Sequence, residues 1–266
     1  MATGILSDGF VMRIDLNDIG TIAAEAGRAI LKIYNDPLEQ FVFTRKEDNS
    51  PLTLADKESH RIIVNGLSAI QPQMPILSEE GKNIPYEDRK HWEYYWCVDP
   101  LDGTKEFLNR NGEFTVNIAL IHKNTPVIGV IYIPVTGDLY IGSAAGSFKT
   151  GADTVKTILK VDSKKDQWTA IGSRSHSSPG EVEFLSAYPV TNTISAGSSL
   201  KFCFIAEGKA HIYYRQGPTM EWDTAAGHAI ALYSGAIITQ PDGSPFLYNT
   251  PSLLNTPFVC RIPADF

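Results

Sequence analysis

The run Tyr94-Tyr95-Trp96-Cys97-Val98-Asp99-Pro100-Leu101-Asp102-Gly103-Thr104 decides how this chain is read. Residues 94–98 are apolar or aromatic throughout and have the composition of a buried strand. Asp99-Pro100-Leu101-Asp102-Gly103 then stops it, because Pro suits the second turn position and Asp and Gly flank turns. Taken alone, the segment is an ordinary turn. Its position says more. Asp99 closes a nearly all-apolar strand, and a carboxylate there needs a partner to offset its desolvation. Asp102 follows close behind, and two such carboxylates repel unless a cation sits between them. Hard oxygen ligands with waters suit Mg²⁺. Gly103 and Thr104 open the next segment, where their N–H groups would point at an anion held by the metal. The Thr104 hydroxyl can hydrogen-bond an attacking water.

Three other acidic pieces complement this one. Ser78-Glu79-Glu80 closes the apolar strand 74–78. Adjacent glutamates usually mark a solvated loop, but here at least one is brought toward a strand end, and side-chain alternation lets only one of the two face that way. In Trp222-Asp223-Thr224-Ala225-Ala226-Gly227, Asp223 reads by default as a helix cap. The small residues after it would let the first turn pack tightly on neighbouring backbone. Asp56 in Thr53-Leu54-Ala55-Asp56 is by default a first-turn acid. Together the pieces make a different case. Glu79, Asp99, Asp102 and Asp223 carry four negative charges, which two Mg²⁺ ions would cancel. The neutralised cluster could accept a phosphate, with paired ions clamping the attacking and leaving oxygens.

Working outward, Leu16, Ile19, Ile22, Ala23, Ala26, Ile30 and Ile33 recur at helical spacing, predicting an amphipathic helix over 16–35. Residues 41–46 read as a short strand, and Thr53 caps a second helix running to about Ile70. After the central run, strands are expected at 115–122, 126–133 and 138–142, with turns at Lys123-Asn124-Thr125 and Thr136-Gly137. The polar stretch 150–167 is the best boundary between an N-terminal α+β half, 12–150, and a C-terminal half, 151–266. The second half alternates: strand 168–173, helix 181–188, strand 193–197, helix 199–208 closed by Gly208, strand 211–215, and helix 222–235 with Gly235 as its stop. That alternation argues for an α/β half following an α+β half.

Composition narrows the function classes. The chain has 266 residues, of which 43% are hydrophobic and 20% charged, ordinary for a globular protein and incompatible with disorder as its main state. The net charge of −7 and the absence of a basic tract argue against sequence-independent nucleic-acid binding and against a two-metal nuclease. Cys97, Cys203 and Cys260 are odd in number and widely spaced, without zinc spacing, so a reducing compartment is expected. Residues 1–11 lack the features of a signal peptide; Met12 reads as an alternative start with residues 1–11 an extension. No stretch is apolar for long enough to span a membrane, and no motif specifies an oligomer.

The motifs DPLDGT (99–104), LSEEG (77–81), WDTAAG (222–227) and SPLTLAD (50–56) together resemble the magnesium-dependent, lithium-sensitive phosphomonoesterase superfamily of inositol monophosphatase and fructose bisphosphatase. The resemblance covers essentially all of 14–240. Within it the chain is most similar to the 3′(2′),5′-bisphosphate nucleotidases, the bacterial branch tied to sulfate assimilation. The pointers are Lys105-Glu106-Phe107, Asn111-Gly112-Glu113-Phe114-Thr115-Val116-Asn117, Ser173-Arg174-Ser175-His176 and Gly197-Ser198-Ser199-Leu200-Lys201-Phe202.

This resemblance implies a layered α/β/α/β/α sandwich forming one compact phosphatase unit, Li⁺ inhibition and two or three Mg²⁺ ions. Glu79, Asp99, Asp102, Asp223 and the Leu101 carbonyl would hold the metals, Glu79 rather than Glu80 being the matching acid. Asp56 and Thr104 would orient and deprotonate the water, with Asp56 touching a third metal, and Glu79 counts with them among the catalytic residues. Gly103 and Thr104 would receive the phosphate being cleaved. Ser198, Lys201, His176 and Arg215 would take the nucleotide and its second phosphate. Three have an ordinary alternative: His176 as a solvated loop residue, Arg215 as a surface charge, Lys201 as a cation unfavourably near a helix start unless an anion is close; Ser198 would share a helical face with Lys201 if the helix begins there. The implied activity is hydrolysis of a nucleotide bisphosphate to AMP and phosphate in the cytoplasm, with peripheral contact at a bacterial inner membrane as a variant. An inositol monophosphatase of the same mechanism, or a non-catalytic cation-dependent binder of phosphorylated ligands, is the alternative.

Overall fold

The computed structural model describes residues 14–36, 43–45, 51–164, 166–173 and 179–263; the expectations placed on Met12 and His176 lie outside them. The amphipathic run expected at 16–35 is α1 (Leu16–Tyr34), capped by Asp15, whose side chain accepts from the Asn17 N–H. A two-stranded ribbon, β1 (Phe43–Arg45) with β2 (Pro51–Thr53), leads into α2 (Leu54–Ser68), capped by Thr53 as the sequence predicts. Then come β3 (Ile76–Ser78), α3 (Tyr86–Arg89), β4 (Tyr94–Asp102), α4 (Thr104–Leu108), β5 (Thr115–His122), β6 (Thr125–Ile133), β7 (Asp138–Ser143), β8 (Gly146–Thr150) and β9 (Lys156–Leu159). Strands β3 to β9 form a seven-stranded sheet in sequence order, parallel between β3 and β4 and antiparallel from there on.

The second half contributes β10 (Trp168–Ser173), α5 (Pro179–Leu185), β11 (Val190–Ala196), α6 (Leu200–Ala206), β12 (Ile212–Arg215), α7 (Glu221–Tyr233), β13 (Ile237–Thr239) and β14 (Phe258–Arg261). These strands build a five-stranded sheet of order β11-β10-β12-β14-β13. Its first three strands are parallel, and β14 runs antiparallel to both neighbours.

Side-chain alternation shows how the layers stack. On β4, Trp96 and Val98 face a core shared with α1 and α2, while Tyr95 and Cys97 face a second core shared with α6, α7 and the smaller sheet. On β12, Tyr213 meets Phe202 of α6 edge-on, and its neighbour Tyr214 stacks on Phe184 of α5. The order is therefore α1 and α2, large sheet, α6 and α7, small sheet, α5: the layered α/β sandwich implied by the sequence.

Two expectations are corrected. Asp99-Pro100-Leu101-Asp102 does not stop the central strand; β4 continues through it. Asp99 pairs with Asn117 and Asp102 with Thr115, so β4 carries one extra residue over this interval, a bulge. Pro100 lacks an N–H and is tolerated there because the ladder is interrupted. The Leu101 N–H instead bonds Asp99 Oδ1 at 3.0 Å, and Ser59 Oγ on α2 donates to the Pro100 carbonyl at 2.6 Å. Second, the polar stretch 150–167 is not all connection: it contains β9, which extends the large sheet along β8. The helix placed at 199–208 is shorter, α6, although Gly208 does adopt the left-handed conformation after it (φ +70°).

Candidate active site

The acidic residues meet where strand ends and helix starts converge. Because β3 and β4 are parallel and in register, Ser78 beside Val98, the residues that follow emerge side by side. The Glu79 N–H donates to the Val98 carbonyl at 3.1 Å, and the Glu79 and Asp99 side chains share a hydrogen bond. Of the two adjacent glutamates, Glu79 is thus the one facing Asp99. The bulge then carries Asp102 outward, and Asn117 Nδ2 donates to Asp102 Oδ2 at 3.2 Å.

Asp223 arrives from the first turn of α7. It is not the cap, as its default reading would have it. Met220 holds the cap position, and Asp223 Oδ2 accepts the Met220 N–H at 2.8 Å. Helix α7 can deliver it because the large sheet leaves room. A Cβ on Gly129 of β6 would lie 2.2 Å from the Ala226 carbonyl oxygen, and one on Gly142 of β7 would lie 2.5 Å from Ile230 Cα. Glycine at both places lets the helix backbone rest on the strands.

The four carboxylates feel one another. Burial, followed by the charges of Glu79, Asp102 and Asp223, pushes Asp99 well above the usual carboxylate range. Burial and the charges of Asp102 and Glu79 do the same to Asp223. Asp102 is pushed up to about 6, chiefly by burial, with Lys201 and the Asn117 amide opposing. Among the described residues the acids converge without closing into ready ligand geometry for an ion. Burial first, and then mutual repulsion, makes the ionised forms of Asp99 and Asp223 costly here.

Asp56 and Thr104 stand together. Thr104 Oγ1 donates to Asp56 Oδ1 at 3.2 Å and lies 3.4 Å from the Leu101 carbonyl oxygen. Gly103, at φ +91°, is the only residue type that fits its place. A Cβ there would meet the Glu113 carbonyl oxygen at 3.1 Å as well as straining the backbone.

A cavity of about 160 Å³ opens beside this group, and Asp102, Gly103, Ser198, Lys201, Arg215 and Asp223 line it. Six sequence-predicted residues are thus brought to one space. Asp56, Glu79, Asp99, Leu101 and Thr104 are not among its lining residues but connect to it through the contacts above. Ser198 does not share a helical face with Lys201, since α6 starts at Leu200. It lies before the helix in the left-handed region (φ +44°), its buried hydroxyl without a hydrogen-bond partner. Lys201 is buried, and its ammonium donates to the carbonyls of Ala196 and Ser198. Burial lowers it to about 8, against the pull of Asp102.

The sequence reading passed over Asn117 and Ser199 as site residues. Both lie in stretches that carry the family resemblance, 111–117 and 197–202, and Asn117 is also a polar residue inside the apolar run Thr115-Val116-Asn117-Ile118-Ala119-Leu120.

A model of the "Inositol monophosphatase family" matches residues 15–260. The chain is 45% identical over 245 residues to the 3′(2′),5′-bisphosphate nucleotidase CysQ of Salmonella typhimurium, covering 91% of this chain and 98% of that protein. It is 44% identical to the protein of the same name from Escherichia coli K12, with the same coverage. Among solved structures, CysQ from Bacteroides thetaiotaomicron, described as a bacterial member of the inositol monophosphatase family, superposes with a TM-score of 0.82. That pair is 41% identical, over 92% of this chain and 97% of the other.

Proposed function

The chain belongs to the inositol monophosphatase family, and from that membership we propose that it removes the 3′(2′)-phosphate of adenosine 3′(2′),5′-bisphosphate, giving AMP and inorganic phosphate. The observation that carries the reading is the mutual approach of Glu79, Asp99, Asp102 and Asp223 beside a cavity that also holds a buried lysine and an arginine. Acids alone would repel a phosphate. Acids with bound cations, next to fixed positive charge, form a receptor for a substrate with two phosphates.

Glu79, Asp99, Asp102, Asp223 and the Leu101 carbonyl would hold two Mg²⁺ ions, and Asp56 would touch a third; such a hard oxygen set suits this ion. When bound, the ions cancel the acidic charge, polarise the phosphoryl group and stabilise the leaving oxygen. The protein's own groups manage the water. Asp56 accepts a hydrogen bond from the Thr104 hydroxyl, which leaves the Thr104 oxygen lone pairs available to a water. A water donating to that oxygen is held for in-line attack on phosphorus, and its proton passes through Thr104 to Asp56. The new P–O bond forms as the bond to the ribose oxygen breaks, and that oxygen takes a proton from solvent. Gly103 and Thr104, at the start of α4, would receive the phosphate being cleaved. Lys201, Arg215 and the unpartnered Ser198 hydroxyl receive the nucleotide and its other phosphate, as does His176 on the sequence reading.

Residues 12–150, which carry most of the donors, and 151–266, which carry Asp223 and the nucleotide contacts, act as halves of one unit. Three free, buried cysteines suit a reducing cytoplasm. Among the described residues no helix is long and apolar enough to cross a membrane.

The test is phosphate release from 3′-phosphoadenosine 5′-phosphate and from inositol 1-phosphate, each with Mg²⁺ and with or without Li⁺. Preferential, lithium-sensitive turnover of the nucleotide supports the reading. Preference for inositol phosphate reassigns the substrate, and no release from any monoester reduces the protein to a binder.

A further inference from the structure

Asp102 is reached from behind by a group of three buried polar side chains. Asn117 on β5 donates from Nδ2 to Asp102 Oδ2 at 3.2 Å. Its Oδ1 lies 3.0 Å from Thr115 Oγ1 and 2.8 Å from Ser199 Oγ. The two hydroxyls are 2.8 Å from each other. None of the three residues is more than 1% exposed. Two hydroxyl protons serve three contacts, so whichever way the hydroxyls turn, at least one proton goes to Asn117 Oδ1. The amide orientation is set by the carboxylate, because a flip would turn the amide oxygen against Asp102 Oδ2. Asp102 is also tied to the other half, since the Ser199 N–H donates to it. Ser199 lies between Ser198 and Lys201, which line the cavity, so one cluster touches both the carboxylate and the loop facing the nucleotide.

Resting on the function proposed above, we propose that Asn117, locked by Thr115 and Ser199, is a positioning residue. It fixes the Asp102 carboxylate in the orientation that binds a divalent cation and couples that orientation to the 197–201 loop. Burying three polar groups in the seam between two sheets is costly unless every one is satisfied. Here they are satisfied by one another and by Asp102. Partners that hold a ligating carboxylate typically matter by about 10–100-fold in metal affinity.

The experiment is calorimetric titration of the intact protein with Mn²⁺ as probe, alongside steady-state kinetics. Asn117→Ala is expected to weaken Mn²⁺ binding by roughly 10–100-fold and to raise the Mg²⁺ concentration needed for half-maximal turnover, with the nucleotide KM little changed at saturating metal. Asp102→Asn alone and Asp102→Asn with Asn117→Ala are expected to bind Mn²⁺ equally weakly, because Asn117 acts through Asp102. Ser199→Ala keeps the amide and removes one lock, and is the reading variant should Asn117→Ala not fold. It is expected to shift Mn²⁺ affinity in the same direction, by less. A folded Asn117→Ala with wild-type Mn²⁺ affinity, additive effects in the double variant, or a Ser199→Ala protein unchanged where Asn117→Ala does not fold overturns the proposal. A wild-type protein that binds no Mn²⁺ overturns the underlying functional reading instead.

Discussion

Thr104 donates its hydroxyl to Asp56 Oδ1 at 3.2 Å, joining residues 48 positions apart in the chain. The other Asp56 oxygen accepts the Thr53 N–H at 2.7 Å. The carboxylate is therefore aimed by its own helix start and connected to the end of a different strand. A proton acceptor for water must be held in this way, because misdirection costs more than a shift in basicity.

Thr104→Ala is accordingly expected to lower kcat by roughly 10²–10⁴-fold, the range for a positioned proton-transfer group. Calorimetric Mg²⁺ binding and the melting curve are expected to stay close to wild type. A Thr104→Ala enzyme with undiminished kcat would exclude the pair from the reaction.

Asp223→Asn and Asp102→Asn are expected to abolish turnover while leaving the fold intact. Each removes a carboxylate charge that burial disfavours, so the melting temperature without divalent ions should equal or exceed that of wild type. A ligand at about 100 times its Kd stabilises by about 2.7 kcal/mol. That Mg²⁺-dependent rise should be present in wild type and lost in both variants. A full Mg²⁺-induced rise in either variant would contradict the donor assignment.

The raised carboxylates also set a pH dependence. An acid that binds its proton more tightly when folded contributes stability at low pH and loses it as pH climbs from the ordinary value to the folded one. For Asp102 that window runs from 3.8 to about 6. Without divalent ions, the wild-type melting temperature should fall relative to Asp102→Asn across this interval. Parallel curves for the two proteins would show that the carboxylate is not strained, and saturating Mg²⁺ should reduce the divergence.

Lys201 gives a dependence at the other end. Burial lowers it to about 8, so its charge, and with it the attraction for the substrate's second phosphate, is lost as pH rises past that value. KM for the bisphosphate should climb above pH 8 in wild type and be high and flat in Lys201→Met, measured with metal saturating. A wild-type KM that is level from pH 7 to well above 8 would remove Lys201 from phosphate binding.

Gly129→Ala would drive a methyl group to 2.2 Å from the Ala226 carbonyl oxygen. Overpacking of this kind costs about 1–3 kcal/mol. The variant is expected to melt lower and to lose metal-dependent activity out of proportion to its lost stability, because the displaced helix carries Asp223. Thermal denaturation and Mg²⁺ titration of the same sample read both effects.

Much of this was legible in the chain itself. The helices at 16–35 and 222–235 announce themselves by apolar period and by terminal residues such as Asp15 and Gly235. Glu79 and Asp99 stand out because each closes an apolar segment. Pro100 misled the strand boundary: a residue that normally ends pairing sits here in a bulge, and only the pairing of Asp102 with Thr115 reveals that the ladder resumes. Strand β9 was passed over because Lys156 and Ile158 lie on an exposed edge and carry no burial pattern. Asn117 was missed for the opposite reason. One polar residue in a buried strand looks like an interruption until its partners are seen, Asp102 and Thr115 nearby and Ser199 from 82 residues on.

Gly129 and Gly142 have a mechanical consequence. The helix that supplies Asp223 lies in sequence between two strands of the smaller sheet, but it is seated in notches cut into the larger one. The two sheets therefore cannot hinge apart like jaws to admit a nucleotide without pulling a carboxylate away from its companions. Entry and exit must be managed by rearrangements at the rim, while the acidic floor keeps its shape from one turnover to the next.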